Sequence, residues 1–252
     1  MKIKKGLIIA LIGLTGCSNI NLLTETGNGE IETYIYNINN NITSLEVGIA
    51  NHYIFNNQSS VYHNVVVSCY EDDKQYVEVK VDSNLKDDIL VNLHREKLTI
   101  KKDSYKHISF KKIEINIYGC KFYNVELSNA TDAQFNNSCL AENANLSLSG
   151  ASSMTCSYTN FSLINLNLSG ASFATINGTS EYFFGEISGA SFLDGKNFEI
   201  QEGTLSVSGA STARLNVSKS LYGSASGASK VLYSGEGSVN IDTSGASTVE
   251  KI

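Results

Sequence analysis

Proline and tryptophan are absent from the 252 residues, and methionine occurs twice. Without proline, reversals of the chain fall to Gly, Asn, Asp and Ser, which reach positive φ or hydrogen-bond their own backbone. Positive charge is also scarce, with 19 Lys and Arg against 25 Asp and Glu for a net charge of −6. Neutralising phosphates needs clustered Lys and Arg, so a strong nucleic-acid binder is excluded. The histidines (His52, His63, His94, His107) are scattered, without an i, i+4 pair, and no Cys-x-x-Cys occurs. A zinc site or a thioredoxin-like redox motif therefore has no support, and neither metal nor cofactor is expected.

The start, "MKIKKGLIIALIGLTGCSN", sets Lys2, Lys4 and Lys5 before an apolar run from Leu7 to Leu14 and then small residues, the three regions of a secretory signal. The run is too short to cross a bilayer as a mature helix. Leu14-Thr15-Gly16-Cys17 resembles a bacterial lipobox, which predicts cleavage after residue 16 and lipid on Cys17. Removal of residues 1–16 takes those three Lys, so 16 basic against 25 acidic residues leave a net charge of about −9. Residues 17–41 read as the lipidated Cys and a polar tether. Four cysteines remain (Cys69, Cys120, Cys139, Cys156); export permits disulfides, and the spacing selects none of the three full pairings.

What the chain has in abundance is one phrase. Ser-Gly-Ala-Ser recurs with its glycine at Gly150, Gly170, Gly189, Gly209, Gly227 and Gly245, in steps of 20, 19, 20, 18 and 18 residues. A fixed period of this size signals a solenoid. Two residues before each Gly stand Leu148, Leu168, Ile187, Val207, Ala225 and Thr243; four after it stand Met154, Ala174, Leu193, Ala213, Val231 and Val249. Alternation with polar or small neighbours gives each period a strand, a corner and a second strand. A third apolar cluster, such as Phe161 to Ile164, Tyr182 to Phe184 or Phe198 to Ile200, closes the coil. The intervals lack a helical period and are rich in poor helix formers. At the corner each residue faces its own copy about 4.8 Å away, so small side chains are expected: Gly for its dihedral, Ala as an inward filler, Ser to bond nearby backbone. Ser128-Asn129-Ala130-Thr131 fits the same register as a degenerate rung, with Asn129 in the left-handed position.

The predicted fold is therefore all-β, a right-handed parallel β-helix of coils of about 19 residues spanning 128–252. Residues 42–127 form less regular β coils leading into it: "SLEVGIA", "NVVVSCY", "QYVEVKV", "KLTIKK" and "IEINIYG" alternate apolar and polar residues. Glu71 to Lys74 and His94 to Lys97 sit between these runs as hairpin turns, and the region covers the first rung of the stack.

This order of strands, with a "KLTI" strand, then "IEINIYG" and serial "SGAS" corners, resembles the bacterial DUF2807 family, the "putative auto-transporter adhesin, head GIN domain", over roughly residues 42–250. The resemblance implies an exported β-solenoid, often a lipoprotein, with no catalytic motif to carry over.

No Gly-Ala-Ser copy has the second Gly of a nucleophile elbow, and "GSASGASK" from Gly223 to Lys230 fails the spacing of a phosphate loop. Asp82, Asn84, Asp87 and Asp88 lack the Gly and terminal Glu of a calcium loop and read as a solvated turn. Acidic residues of the repeats occupy mixed offsets, and Arg214 is the one Arg there. The column three after Gly places Phe173 and Phe192 outward on adjacent rungs, an aromatic pair suited to a sugar ring or a partner protein. The expectation is an outer-membrane lipoprotein, periplasmic or surface-facing, with a non-catalytic binding, adhesion or scaffold role. Its partners would be the membrane through the lipid and a glycan or envelope protein. The alternatives are a carbohydrate-active β-helix enzyme and a solenoid that assembles with copies of itself.

Overall fold

The computed structural model describes residues 25–39, 41–49, 65–103, 108–136 and 139–252. Cys17, the expected lipid site, and His52, His63 and His107 lie outside them. The strands are β1 (Glu25–Thr26), β2 (Ile31–Asn37), β3 (Ser44–Ile49), β4 (Val65–Tyr70), β5 (Tyr76–Asp82), β6 (Ile89–His94), β7 (Lys97–Lys102), β8 (Ile108–Ser109) and β9 (Ile113–Tyr118). They continue as β10 (Phe122–Asn129), β11 (Thr131–Phe135), β12 (Leu140–Leu148), β13 (Ser153–Leu168), β14 (Phe173–Ile187), β15 (Phe192–Val207), β16 (Thr212–Ala225), β17 (Lys230–Ser234), β18 (Ser238–Thr243) and β19 (Thr248–Lys251).

The chain folds as a β-solenoid. Strands before each Ser-Gly-Ala-Ser corner stack in parallel as a leading face, in which Leu146, Leu166, Gly185, Leu205, Gly223 and Ile241 fall in one file. Strands after the corner stack as a trailing face, with Met154, Ala174, Leu193, Ala213, Val231 and Val249 in file. The apolar columns of both faces meet between them: Leu148, Met154, Leu168, Ile176, Leu193, Leu205 and Leu215 are all buried. Burying each such Leu, Ile or Met contributes about 1.5–3 kcal/mol, offset by the entropy of ordering the chain. Of the cluster Tyr182 to Phe184, only Phe183 enters the core, edge-on to Phe198; both tyrosine and phenylalanine neighbours point out. The Phe183 ring takes the space above Gly185, where a Cβ would meet it at 2.6 Å, which accounts for glycine in an otherwise aliphatic column.

The corner differs from the expectation in one respect. Each motif glycine has φ between 70° and 77°, and Asn129 has φ 67°. The ladder runs through the bend unbroken, because each motif Ala N–H donates to the previous corner's Gly or Asn carbonyl, as Ala171 does to Gly150 at 2.7 Å. Yet Ala151, Ala171, Ala190, Ala210 and Ala228 are exposed, while the following Ser152, Ser172, Ser191, Ser211 and Ser229 are buried. Alanine is therefore not the inward filler; the second serine is. Its hydroxyl satisfies the bend: Ser152 donates to the Ser149 carbonyl at 2.8 Å and Ser172 to that of Ser169 at 2.7 Å. Thr131 does the same for the degenerate rung, donating to the Ser128 carbonyl at 2.9 Å.

The first half is continuous with this stack. β3 pairs in parallel with β10 and β7, and β4 with β11 and β9, which adds rungs ahead of Asn129. Antiparallel strands then cover this end: β6 on β7 through the turn at Arg95 (φ 54°), and β5 with β2 on β9. The turn from His94 to Lys97 is the expected hairpin. That from Glu71 to Lys74 is not, because β4 and β5 lie on opposite sides of β9. β1 pairs with β8 and β2 with β5, so the part of the expected tether from Glu25 onward belongs to the folded body.

Of the three cysteine pairings left open, the structure forms Cys69–Cys139, whose Cα atoms are 6.1 Å apart; Cys120 and Cys156 are free and buried. Burial alone pushes the Cys120 thiol up to about 11 and that of Cys156 to about 12, so both are inert near neutrality.

Candidate binding faces

Because strand side chains alternate, every second residue of each rung faces solvent and repeats down the stack as an outer column. On the trailing face one such column contains Phe173 and Phe192. Their rings are parallel within 6° at a centroid separation of 5.3 Å, and the Arg214 guanidinium of the next rung lies 5.2 Å from the Phe192 centroid. Phe173 is 42% exposed. The result is a short ladder of ring, ring and cation, exposed at Phe173 and half-buried at Phe192 and Arg214. Nearer the capped end, Tyr118 stacks between Tyr70 at 5.1 Å and Tyr76 at 4.3 Å.

The leading face carries a site that was not anticipated. Asn124, Asn145 and Asn165 occupy one outer column, and their amides bond in series: Asn165 Nδ2 donates to Asn145 Oδ1 at 2.7 Å, and Asn145 Nδ2 to Asn124 Oδ1 at 2.8 Å. Asn124 Nδ2 closes the chain on Ser44 Oγ at 3.1 Å. The same column continues with Phe184, Thr204 and Tyr222, and Phe184 is 48% exposed. With Glu126, Ser147, Asn167 and Glu186 of the adjoining column, the asparagines and Phe184 line an open groove of about 360 Å³. The signal was present in the sequence, five residues before each corner Gly, where Asn145, Asn165, Phe184, Thr204, Tyr222 and Asn240 stand.

Among the described residues no group of three or more His, Cys, Asp and Glu is placed to hold a metal. Two neighbouring carboxylates occur at Glu46 and Glu126, both paired with Lys97 at 2.9 and 3.4 Å, and Glu46 also with Lys101. Burial pushes the Glu46 carboxyl up, but hydrogen bonds from Lys101 and Lys97 outweigh it and hold the group below its usual range. A general acid needs the opposite shift. Asp82, the first residue of the suggested calcium-like run, is buried rather than solvated. Its carboxylate accepts backbone N–H bonds from Gly29 at 2.8 Å, Lys111 at 2.9 Å and Lys112 at 3.1 Å. Asn84 accepts from the Asn28 N–H at 2.9 Å and donates to the Thr26 carbonyl at 3.1 Å. The run is a clasp fastening the first strands.

Residues 57–237 match the family model DUF2807, "Putative auto-transporter adhesin, head GIN domain". The chain belongs to this family. Its fold is shared with a "putative adhesin" from Bacteroides fragilis at TM-score 0.77 and 14% identity, covering 90% of this chain and 99% of that one. It is also shared with a "putative lipid binding protein" from Parabacteroides distasonis, at TM-score 0.67 and 12% identity over 91% and 100% of the two chains. A "putative adhesin" from Parabacteroides merdae aligns at TM-score 0.57 and 16% identity over 90% and 98%. At these identities the likeness is one of fold. No curated protein matches the chain. The description of the DUF2807 family suggests an exported protein of the cell envelope.

Proposed function

We propose that this DUF2807 protein is a non-catalytic binding protein of the cell envelope. It is held to the outer membrane by lipid on Cys17 and engages an envelope or extracellular partner through the outer faces of its solenoid. The observation that carries this reading is the Phe173–Phe192 stack ended by Arg214, an apolar and cationic strip held on a rigid ladder. Exposed aromatics and Arg are the side chains that dominate recognition energetics. The hydroxyls of Ser152, Ser172, Ser229 and Ser247 are spent on backbone carbonyls, and those of Ser191 and Ser211 accept backbone N–H bonds, which argues against a serine nucleophile.

Two measurements test the reading. Labelled fatty acid should enter the wild-type chain and not Cys17→Ser, which should leave the membrane fraction. The mature chain carrying Cys17→Ser should bind isolated envelope material, and Phe173→Ala with Phe192→Ala should weaken that binding about tenfold. Conversion of any polysaccharide by the purified protein would overturn the non-catalytic role.

A further inference from the structure

The leading-face groove has a chemistry that the trailing face lacks. Asn124 and Asn145 each spend one N–H and one oxygen lone pair within the ladder, which leaves each a second donor and a second acceptor. Asn165 ends the series. Its Oδ1 accepts no bond from a described residue, and the next position in the column is the exposed ring of Phe184. Tyr182 lies two residues from Phe184 on the same strand and Tyr222 two rungs further along its column, 49% and 54% exposed. Amide donors and acceptors beside flat, half-exposed rings match the surface of a sugar, which offers hydroxyls at its rim and C–H groups on its face.

Charge narrows the ligand class. The groove is bounded by Glu126 and Glu186, and no Lys or Arg lines it, so uronates, sulfated sugars and phosphate head groups are disfavoured. The column repeats once per rung, about every 4.8 Å, a spacing comparable to the rise of one residue in an extended polysaccharide. The two carboxylates that bound the groove, Glu126 and Glu186, are three rungs apart, about 14 Å, beyond the ~5–9.5 Å that separates the paired carboxylates of glycosidases. Glu46, opposite Glu126 on the neighbouring rung, is paired with Lys97 and Lys101.

We infer that the groove over Asn145, Asn165 and Phe184 is a binding site for a neutral, extended glycan chain lying along the solenoid axis. This rests on the reading of the protein as a binding protein and adds to it a site and a ligand class.

The test is native affinity electrophoresis of the mature chain carrying Cys17→Ser, in gels containing galactomannan, xyloglucan or dextran as neutral probes and alginate as the anionic one. Retardation is expected in at least one neutral gel and not in alginate. Phe184→Ala and Asn165→Ala, each with an unchanged circular dichroism spectrum, are expected to lower the apparent affinity about tenfold, with Ala171→Ser, at an exposed corner position outside both faces, unchanged. Absence of retardation in every neutral gel, retardation in alginate, or retention that survives both substitutions would overturn the assignment. So would Phe184-dependent binding to phosphatidylcholine vesicles, which would make the occupant a lipid. Loss of retardation through Phe173→Ala alone would remove this site while leaving the binding role intact. Shortening of the polysaccharide would instead remove the binding role itself.

Discussion

The carbonyl oxygen of Gly150 lies 2.6 Å from the point where a Cβ on Gly170 would stand, and it accepts the Ala171 N–H at 2.7 Å. Glycine is thus required twice at the corner, once by the positive dihedral and once by the approach of the rung beneath. Gly170→Ala is expected to cost about 3 kcal/mol, the sum of a left-handed penalty and a backbone displacement. Urea unfolding measures it. Asn129→Gly should be neutral or stabilising, because the same φ is already borne there by a side chain; a loss above about 1 kcal/mol would contradict the shared geometry.

Ser172 and Ala171 form an opposed pair of neighbours. Ser172→Ala removes the donor to the Ser169 carbonyl inside the bend and should cost about 1–2 kcal/mol. Ala171→Ser changes an exposed position and should stay within about 0.5 kcal/mol of wild type. Equal effects in thermal melts would mean that the two side chains are not placed as described.

These outcomes bear on how far the fold was legible beforehand. The near-constant spacing of Gly150 to Gly245, and the apolar columns two before and four after it, were enough for the stack and for the side-by-side Phe173 and Phe192. The same parity, carried through the bend, puts position one after Gly outward and position two inward. Small size made alanine look like the filler, when a hydroxyl was needed to satisfy the turn's own carbonyl. The asparagine ladder is written in the column five before Gly, but a polar column carries no apolar periodicity to mark it as a file. The antiparallel cover of β2, β5 and β6 has no repeat to betray it: pairing partners such as Ile35 and Glu78 are set by long-range contacts.

The Cys69–Cys139 bond closes a sequence separation of 70 residues. Reducing it should lower stability by roughly 4 kcal/mol on the loop-entropy estimate, read as a fall in melting temperature with dithiothreitol. Alkylation of the native oxidised protein should label neither Cys120 nor Cys156, both being buried with raised thiols. After denaturation the same two should label fully.

Acid should loosen the capped end first. Asn116 Nδ2 and then Lys80 hydrogen-bond Glu78 and Glu114, with Lys80 Nζ at 3.0 and 3.2 Å, and both carboxyls are held below their usual range. A depressed folded-state value contributes stability above the unfolded value near pH 4.3, and that contribution is lost as pH falls through the folded one. Lys80 is raised by hydrogen bonds to the same two groups, so its share is complete below the unfolded lysine value and is lost only at strongly alkaline pH. Urea midpoints should therefore drop between about pH 5 and pH 3, less steeply in Glu78→Gln with Glu114→Gln. An unchanged acid limb in that double variant would remove the cluster from the account.

The unequal steps between corners are absorbed between the trailing and leading segments of each coil. Pairing shifts register between Cys156 and Thr159, between Thr175 and Gly178, between Gly195 and Glu199 and again between Ile200 and Glu202. That stretch is where the protein tolerates spelling differences from coil to coil. A foreign peptide spliced there would bulge from one side of the molecule while leaving both flat surfaces in step, so the architecture comes with a ready position for displaying an epitope or a tag.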